Sequence, residues 1–308
     1  MDIAILGAGA MGCIYGGFLS QSGENQVTLI DIWKDHMDAV NQGGLTINTV
    51  DGEKHLPNLR GVYSAAEAGP ADLVIVFVKA LATEEAMRQA LNLVKPETMV
   101  LTMQNGLGNV EKLARVVDAQ QVLGGISSFG AAILGPGRVS LRGVGESIFG
   151  ELDGTISPRL ENLKAVFDRA GLPASMTDNV LGRIWTKLIS NLGLNAPCAL
   201  LNFKNGQLLD YPETEALAEA AVREAVAVAQ AEGIRLETDD PVAYAKKVML
   251  NTGQNTCSML QDILAKRRTE IAVINGAVVE LGQKHGLPTP VNMVLTNLVR
   301  ALEQSYSA

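Results

Sequence analysis

The feature that most constrains this chain is the glycine-rich stretch at its start, which reads MDIAILGAGAMG. Asp2 to Leu6 has the Ile- and Leu-rich pattern of a strand buried on both faces. Gly7, Gly9 and Gly12 then follow as Gly-x-Gly-x-x-Gly, and a helical pattern begins around Met11. A glycine-rich surface turn would not need all three glycines at this spacing. The order of strand, glycine loop and helix therefore predicts a dinucleotide-binding unit of the Rossmann type.

Each residue of the loop has an expected part in binding the cofactor. Gly7 allows the tight turn, Gly9 lets a pyrophosphate approach the backbone, and Gly12 lets the helix pack closely on the strand. The free N–H groups and the positive dipole end of the helix should face the phosphates. We therefore predict that the cofactor is bound by the whole loop, which consists of Gly7, Ala8, Gly9, Ala10, Met11 and Gly12.

Asp31 follows the second predicted strand, Gln26 to Ile30, about 20 residues after the loop. An acid at this place is expected to accept hydrogen bonds from the ribose hydroxyls of NAD, and its charge would repel the 2′-phosphate of NADP. Its alternative role is the N-cap of a helix over Trp33 to Val40. Lys34 lies near enough to contact a phosphate, so its charge would favour NADP instead. The sequence leans toward NADH.

The next elements predict a doubly wound parallel sheet. Apolar strands are expected at residues 72–78 and 98–103, with a helix at 81–93 between them. Ligands of such sheets lie at the carboxyl ends of the strands, where Lys79 and Asn105 stand. Both residues also have simpler explanations, because Lys79 could start a solvated helix and Asn105 could serve an Asn-Gly turn.

The sequence pattern changes from strands and turns to helices between the two halves of the chain. Residues 45–56 read as a small hairpin, and the glycine-rich segment 121–150 reads as antiparallel strands that extend the sheet. Almost everything after residue 178 reads helical. We predict an α/β fold with a Rossmann-type NAD(P)-binding domain at 1–177 and an all-helical substrate-binding domain at 178–308.

Composition excludes several classes of function. The net charge of −8 and the lack of a long basic run argue against nucleic acid as a partner. No apolar run reaches the roughly 18–20 residues of a membrane helix, and no signal peptide is recognisable, so we expect a cytoplasmic protein. The three histidines and three cysteines fit no metal spacing, so we predict no metal site, no histidine relay and reduced thiols.

The segment 182–194, GRIWTKLISNLGL, is a densely apolar predicted helix with polar residues at regular intervals. Lys187, Asn191 and Asn195 recur every four residues and fall within a stripe roughly 80° wide. Burying an ammonium and two carboxamides without partners costs several kcal/mol, about 2–7 for each amide. The stripe could be the solvated face of the helix, but two asparagines at consecutive turns disfavour a helix without some compensating role. We therefore predict that it faces a polar cleft or a ligand.

Two further polar residues have routine explanations on their own. Ser258 is placed as the N-cap of a helix that restarts there, and Glu270 is placed in the first turn of the helix that follows. Neither residue supports a functional hypothesis by itself.

Taken together, these motifs resemble the ketopantoate reductase (2-dehydropantoate 2-reductase) family over essentially the whole chain. The likeness is carried by the glycine loop GAGAMG, Lys79, QNGLG from Gln104, IWxKLxxN from Ile184, Asn205-Gly206, SMLQD from Ser258, and TEIxxING from Thr269. It implies a substrate cleft between a Rossmann-type and a helical domain.

The resemblance also implies roles for individual residues. Lys187 would donate the proton to the substrate carbonyl oxygen as hydride arrives from the nicotinamide. Substrate would be bound by Asn105, Lys187, Asn191, Asn195, Asn205 and Ser258, and the cofactor would be contacted, beyond the loop and Asp31, by Lys79, Asn105, Gly130 and Glu270. Burial should lower the pKa of Lys187, and a carboxylate such as Glu270 would oppose that shift.

The implied reaction is the NAD(P)H-dependent reduction of 2-dehydropantoate to (R)-pantoate in pantothenate and coenzyme A synthesis. Members of the family usually prefer NADPH and carry a basic residue after the second strand, so Asp31 is a departure. It favours an alternative, an NAD-dependent D-2-hydroxyacid dehydrogenase for branched or aromatic 2-oxo acids. A second alternative is a dinucleotide-binding sensor without catalysis, and a homodimer is also considered.

Overall fold

The structure is a computed structural model that describes residues 1–307, and it divides into two compact units. The first unit comprises residues 1–104 and 109–180, and the second comprises residues 105–108 and 181 onward. The boundary predicted from sequence lay between residues 177 and 178. The short segment Asn105–Gly108 belongs to the second unit, although its position in the sequence would place it in the first.

The first unit is an α/β structure, as predicted. Its strands are β1 (Asp2–Leu6), β2 (Gln26–Ile30), β3 (Leu45–Thr49), β4 (Gly52–Leu56), β5 (Arg60–Val62), β6 (Leu73–Val76), β7 (Met99–Thr102), β8 (Val122–Ser127), β9 (Gly130–Gly135), β10 (Arg138–Gly143), β11 (Ser147–Glu151) and β12 (Ala174–Met176). Its helices are α1 (Ala10–Gln21), α2 (Lys34–Gly43), α3 (Thr83–Gln89), α4 (Asn109–Ala114) and α5 (Pro158–Arg169).

Within the described residues the main sheet has eight strands in the order β12-β11-β8-β7-β6-β1-β2-β5. Neighbouring strands are parallel except β8 and β11, which pair antiparallel. Every residue of β6 and β7 is buried, which explains why these strands read as continuous apolar runs. The central strand β1 leads directly into the glycine loop, so the loop stands at the carboxyl edge of the sheet.

The prediction that residues 121–150 extend the main sheet is only partly right. β8 and β11 do so, but β9 and β10 form a separate sheet with the hairpin β3–β4, in the order β4-β3-β10-β9. β10 runs parallel to β3 and pairs Val139 with the buried Ile47. Alternation of apolar residues identifies a strand, but it does not choose the neighbour against which the strand buries its face.

The helix predicted at residues 81–93 is shorter than expected. α3 spans Thr83–Gln89 and is flanked by 3-10 turns at Ala80–Ala82 and Leu91–Leu93. The N–H of Ala90 bonds to the carbonyl of Met87, so the last turn tightens to 3-10 geometry and the α-helix ends there.

The second unit is helical, in agreement with the sequence. Its helices are α6 (Val180–Leu201), α7 (Pro212–Ala231), α8 (Pro241–Asn251), α9 (Ser258–Leu264), α10 (Asn275–Lys284) and α11 (Pro290–Gln304), with 3-10 turns at Asn205–Leu209, Ile271–Val273 and Ser305–Ser307. α6 is longer than the predicted segment because it continues through Pro197.

A buried amide network holds the helices of the second unit in place. The side chain of Asn275 donates to the carbonyl of Leu192 on α6 at 3.2 Å and to Asn292 on α11 at 3.0 Å. Asn292 in turn donates to Glu224 on α7 at 2.8 Å. Since a broken buried hydrogen bond leaves its partner desolvated at a cost of about 1–3 kcal/mol, this network fixes α6, the helix that carries Lys187.

Candidate active site

The glycine loop has the shape that the motif predicts. Gly7 has a φ of +101°, and a Cβ there would lie 2.5 Å from the backbone nitrogen of Val78. A Cβ on Gly12 would lie 2.0 Å from the carbonyl oxygen of Gly7, so the start of α1 touches the turn. By contrast, nothing lies within 4 Å of a Cβ built on Gly9. The protein thus leaves no room for a side chain at Gly7 or Gly12, whereas the space beside Gly9 is open.

The start of α1 fits a pyrophosphate. The N-cap of α1 is Gly9, which has no side chain to cap the first N–H groups of the helix. The first intrahelical bond runs from the N–H of Cys13 to the carbonyl of Gly9. The preceding N–H groups, of Ala10, Met11 and Gly12, belong to the first turn, where a helix has no internal acceptor to offer. With the positive end of the helix dipole, they form a cradle for an anion beside the open space at Gly9.

Asp31 is tied to this loop. Its Oδ2 accepts the N–H of Ala8 at 2.8 Å, and its Oδ1 accepts the N–H of Trp33 at 3.0 Å. The N-cap of α2 is Trp33, so Asp31 does not cap that helix; it closes the turn that leads into it. Lys34 lies with its Nζ 5.6 Å from the centre of the Tyr63 ring.

The other predicted cofactor residues of the first unit lie near strand ends. Lys79 precedes the 3-10 turn after β6, next to Val78, which abuts Gly7. Gly130 begins β9 and therefore lies in the smaller sheet.

One residue that the sequence did not single out is Gln104, whose Nε2 donates to the carbonyl of Val78 and to Thr83 Oγ1. It ties the end of β7 to the end of β6, and its place in the QNGLG motif was the available signal.

The second unit contains a hydrogen-bonded relay around Lys187. Lys187 Nζ donates to Asn105 Oδ1 at 2.9 Å, and Asn105 Nδ2 donates to Glu270 Oε2 at 3.2 Å. Asn105 is 82 positions from Lys187 and 165 positions from Glu270 along the chain. An ammonium, a carboxamide and a carboxylate are thus arranged in series, and the two bonds define the orientation of the Asn105 amide.

Burial lowers the pKa of Lys187 from 10.5 to about 8, and the charge of Glu270 opposes this shift. This agrees with the expectation from sequence. A lysine with a pKa near 8 is protonated at neutral pH and also gives up its proton more readily than a solvated lysine, which is what a general acid needs.

Backbone contacts bring Asn105 to Lys187. The N–H of Leu107 donates to the carbonyl of Val273 at 2.9 Å, and Gly106 has a φ of +84°. A Cβ on Gly106 would lie 2.5 Å from the Val273 carbonyl oxygen, so only glycine allows this approach. The Asn-Gly turn foreseen as the simple explanation for Asn105 is therefore also what positions its side chain.

The predicted polar stripe lies on one helix, α6. Lys187 and Asn191 are half-buried, whereas Asn195 is buried. The carbonyl of Asn195 accepts the thiol of Cys257 at 3.7 Å, which brings the start of α9 to the end of the stripe.

The remaining predicted substrate residues, Asn205 and Ser258, lie around the loop that precedes α9, residues 252–258. Asn205 is buried, its N–H donates to the carbonyl of Asn255, and its Nδ2 donates to Thr252 Oγ1 at 2.9 Å. Its Oδ1 is buried with no hydrogen-bond partner among the described residues. Ser258 is exposed at the first position of α9. The structure therefore brings Asn195, Asn205 and Ser258 to one loop, residues 252–258.

The structure corrects two details of helix capping. The N-cap of α9 is Cys257, whose sulfur accepts the N–H of Leu260, so Ser258 is not the cap. Glu270 precedes the 3-10 turn Ile271–Val273 and is not in the first turn of α10. The capping roles predicted from the sequence therefore do not explain why Ser258 and Glu270 stand at these positions.

The histidines and cysteines are less isolated than their spacing suggested. His36 is fully buried, and its Nε2 lies 3.1 Å from Cys13 Sγ, so this histidine has a partner that its position in the sequence did not reveal. Cys198 Sγ donates to the carbonyl of Lys204 at 3.8 Å, and all three cysteines are free thiols. Within residues 1–307 no cluster of three or more His, Cys, Asp or Glu side chains could hold a metal ion. No helix of this described part has the length and apolarity needed to span a membrane.

A loop shaped for a dinucleotide and a lysine with a lowered pKa define an oxidoreductase that uses a pyridine nucleotide. The chain belongs to the ketopantoate reductase PanE/ApbA family, whose N-terminal and C-terminal models match residues 3–154 and 179–303. It is similar to the 2-dehydropantoate 2-reductase of Halobacterium salinarum, with 36% identity over 304 residues and 99% of each chain.

Two solved structures share the fold over 100% of both chains at 32% identity. One is D-mandelate dehydrogenase in its ternary structure with NADH and anilino(oxo)acetate, with a TM-score of 0.94. The other is the PanE/ApbA family ketopantoate reductase from Ralstonia eutropha JMP134, with a TM-score of 0.92. These matches confirm the resemblance and the fold class inferred from the sequence.

Proposed function

We propose that this chain reduces 2-dehydropantoate to (R)-pantoate, with Lys187 as the proton donor. The observation that carries the proposal is the relay from Lys187 through Asn105 to Glu270. Family membership and the reductase named for H. salinarum support the substrate. (R)-pantoate is the precursor that pantothenate synthesis consumes.

The residues of the relay supply what the reaction needs. When bound, a reduced nicotinamide provides the hydride. As the carbonyl carbon is reduced, negative charge develops on its oxygen, which the Lys187 ammonium stabilises and then protonates. Asn105 holds Lys187 at a fixed place, and the charge of Glu270 keeps the pKa of the lysine from falling as far as burial alone would lower it. We propose that Asn191, Asn195, Asn205 and Ser258 bind the substrate.

A second candidate is an NADH-dependent D-2-hydroxyacid dehydrogenase for branched or aromatic substrates. It is supported by the likeness to D-mandelate dehydrogenase and by Asp31. Both candidates reduce a 2-oxo acid and use the same lysine, so they differ only in the pocket that receives the substrate side chain.

We expect ketopantoate to give the highest kcat/KM in a steady-state panel that also contains 2-oxoisovalerate, 2-oxoisocaproate and phenylglyoxylate. NADH should outperform NADPH because Asp31 carries a negative charge where the 2′-phosphate would lie, while Lys34 is placed over Tyr63. Asp31→Ala should shift the NADH:NADPH ratio of kcat/KM toward NADPH by about tenfold, which corresponds to about 1.4 kcal/mol.

The panel separates the alternatives. Highest activity with 2-oxoisovalerate, 2-oxoisocaproate or phenylglyoxylate would favour the dehydrogenase. Cofactor binding without turnover of any 2-oxo acid would indicate a sensor and contradict the proposed function. A clear preference of the native protein for NADPH would show that Asp31 serves only to hold the backbone of Ala8 and Trp33, or that Lys34 outweighs it. A homodimer and a cytoplasmic location remain predictions, the first of which sedimentation equilibrium would test.

The reduction should also depend on pH through Lys187. Because the proton donor has a pKa of about 8, kcat/KM should be constant below that pH and fall about tenfold per unit above it. Glu270→Gln keeps an acceptor for Asn105 but removes the charge that raises the pKa, so the break should move to lower pH. A pH–rate profile of both proteins tests this, and a break that stays in place or moves upward contradicts the assignment.

A further inference from the structure

A ring of hydrogen bonds surrounds Ala8, the second residue of the glycine loop. The N–H of Ala8 donates to Asp31 Oδ2 at 2.8 Å, and its carbonyl accepts the thiol of Cys13 at 3.1 Å. Ala8 is fully buried. Both polar backbone groups of this residue are therefore held, one by each partner.

His36 gives the Cys13 thiol its direction. The N–H of Gly137 donates to His36 Nδ1 at 2.9 Å, so a neutral ring carries its proton on Nε2, which lies 3.1 Å from the sulfur. The sulfur accepts a hydrogen bond from this N–H, and its own S–H donates to the carbonyl of Ala8. Burial lowers the pKa of His36, against the opposing effects of the Asp31 charge and the Ala8 carbonyl, and so favours this neutral form. Burial raises the pKa of Cys13, and the charge of Asp31 adds to the shift, so the thiol remains a donor.

Trp33 completes the ring. Its N–H donates to Asp31 Oδ1 at 3.0 Å, and its indole stacks on the imidazole of His36 with ring centres 4.7 Å apart and an angle of 11° between the planes. Each oxygen of Asp31 thus accepts one backbone N–H. A carboxylate offers about four lone-pair positions, so the anchored group keeps acceptor capacity for the hydroxyls of a ribose.

We propose that Cys13 and His36 are positioning residues for the pyridine nucleotide, which hold the Ala8 peptide and the Asp31 carboxylate in the conformation that binds it. This inference rests on the proposed binding of the cofactor at the glycine loop. Without the pair, the loop would sample other conformations, and part of the binding free energy would be spent on ordering it. Affinity for the cofactor should fall, whereas the rate at saturating cofactor should not.

The test compares Cys13→Ala and His36→Asn with the native protein. The asparagine keeps an acceptor for Gly137 but loses the donor to Cys13. Each variant should raise the Kd for NADH about five- to tenfold, as expected for one buried hydrogen bond, with kcat within about twofold of native. Cys13→Ser keeps a donor toward Ala8 and should retain most of the affinity. Fluorescence titration with NADH gives Kd, and steady-state assays give kcat.

Tyr15→Phe is the matched control. Tyr15 lies on the same helix, and its hydroxyl is hydrogen-bonded to Ser127 at 2.8 Å and to Ser147 at 2.6 Å, so its loss should lower the melting temperature without changing the Kd. An unchanged Kd in Cys13→Ala, or an equal rise in Tyr15→Phe, overturns the inference and leaves the proposed function standing. If the native protein binds neither NADH nor NADPH, both fail.

Discussion

Lys187→Met is expected to lower kcat for 2-oxo acid reduction by about 100-fold or more, the range usual for a lost general acid. Methionine is close to lysine in length, so it fills the same space on α6 but carries no proton and no charge. The ammonium is the only group of the relay that can both stabilise the developing oxyanion and protonate it. Steady-state assays at pH 7 with saturating cofactor measure the effect.

The same variant should be more stable than the native protein. The pKa of Lys187 is lower in the folded state than its ordinary value, 10.5, so folding at any pH below about 8 carries the full cost of burying the charge. A shift from 10.5 to about 8 corresponds to about 3 kcal/mol, of which the lost bond to Asn105 offsets about 1 kcal/mol. The gain should shrink as the pH rises from 8 toward 10.5.

Lys246→Met provides the matched control for both measurements. Lys246 lies on α8 in ion pairs with Glu215 and Glu219, each at 2.5 Å, and these carboxylates raise its pKa. Its loss should leave the activity unchanged and bring no increase in the free energy of unfolding. If Lys187→Met keeps more than about a tenth of the native activity, Lys187 is not the general acid.

Gly12→Ala is expected to abolish cofactor binding and to destabilise the first unit. The added Cβ would lie 2.0 Å from the carbonyl oxygen of Gly7 and 3.0 Å from its carbonyl carbon. Both atoms belong to the backbone, so α1 or the loop must move, at a cost of about 1–3 kcal/mol or more. Thermal unfolding and NADH titration should both show the change.

Gly9→Ala separates the two effects. Gly9 has a φ of −65°, and nothing lies within 4 Å of the place that an alanine methyl group would take there, so the variant should fold with a native melting temperature. It should nevertheless bind NADH at least about tenfold more weakly, because the methyl group occupies space that the pyrophosphate needs. Gly69→Ala, also at an uncrowded glycine, should change neither property. Native NADH affinity in Gly9→Ala would contradict the assignment of the loop.

Local patterns predicted most of the individual elements. β1 and β2 have the bounds expected from their apolar runs. The sequence did not predict that β10 would pair with β3, because that choice depends on which buried faces meet. It also missed the 3-10 turns around α3, where a helical pattern continues although the α-helix does not.

The candidate site divides in the same way. The stripe on α6 and the glycine loop each lie on one element, so the helical period and the motif spacing were enough to find them. The ring around Ala8 was missed because His36, Cys13 and Gly137 are far apart in the sequence and each looks unremarkable alone. His36 has partners on other elements, and spacing in the sequence alone does not reveal such partners.

The sequence by itself determined a dinucleotide loop, a helical second half and a lysine among asparagines, because periodicity and short motifs are written in neighbouring residues. Only the tertiary structure decided that Asn105, which follows a strand of the sheet, joins the helical unit and lies between Lys187 and Glu270. The reason is a long-range backbone contact at Val273, which requires glycine at position 106. The pKa of Lys187 follows from that assembly, because burial and the charge of Glu270 act on it only in the folded chain.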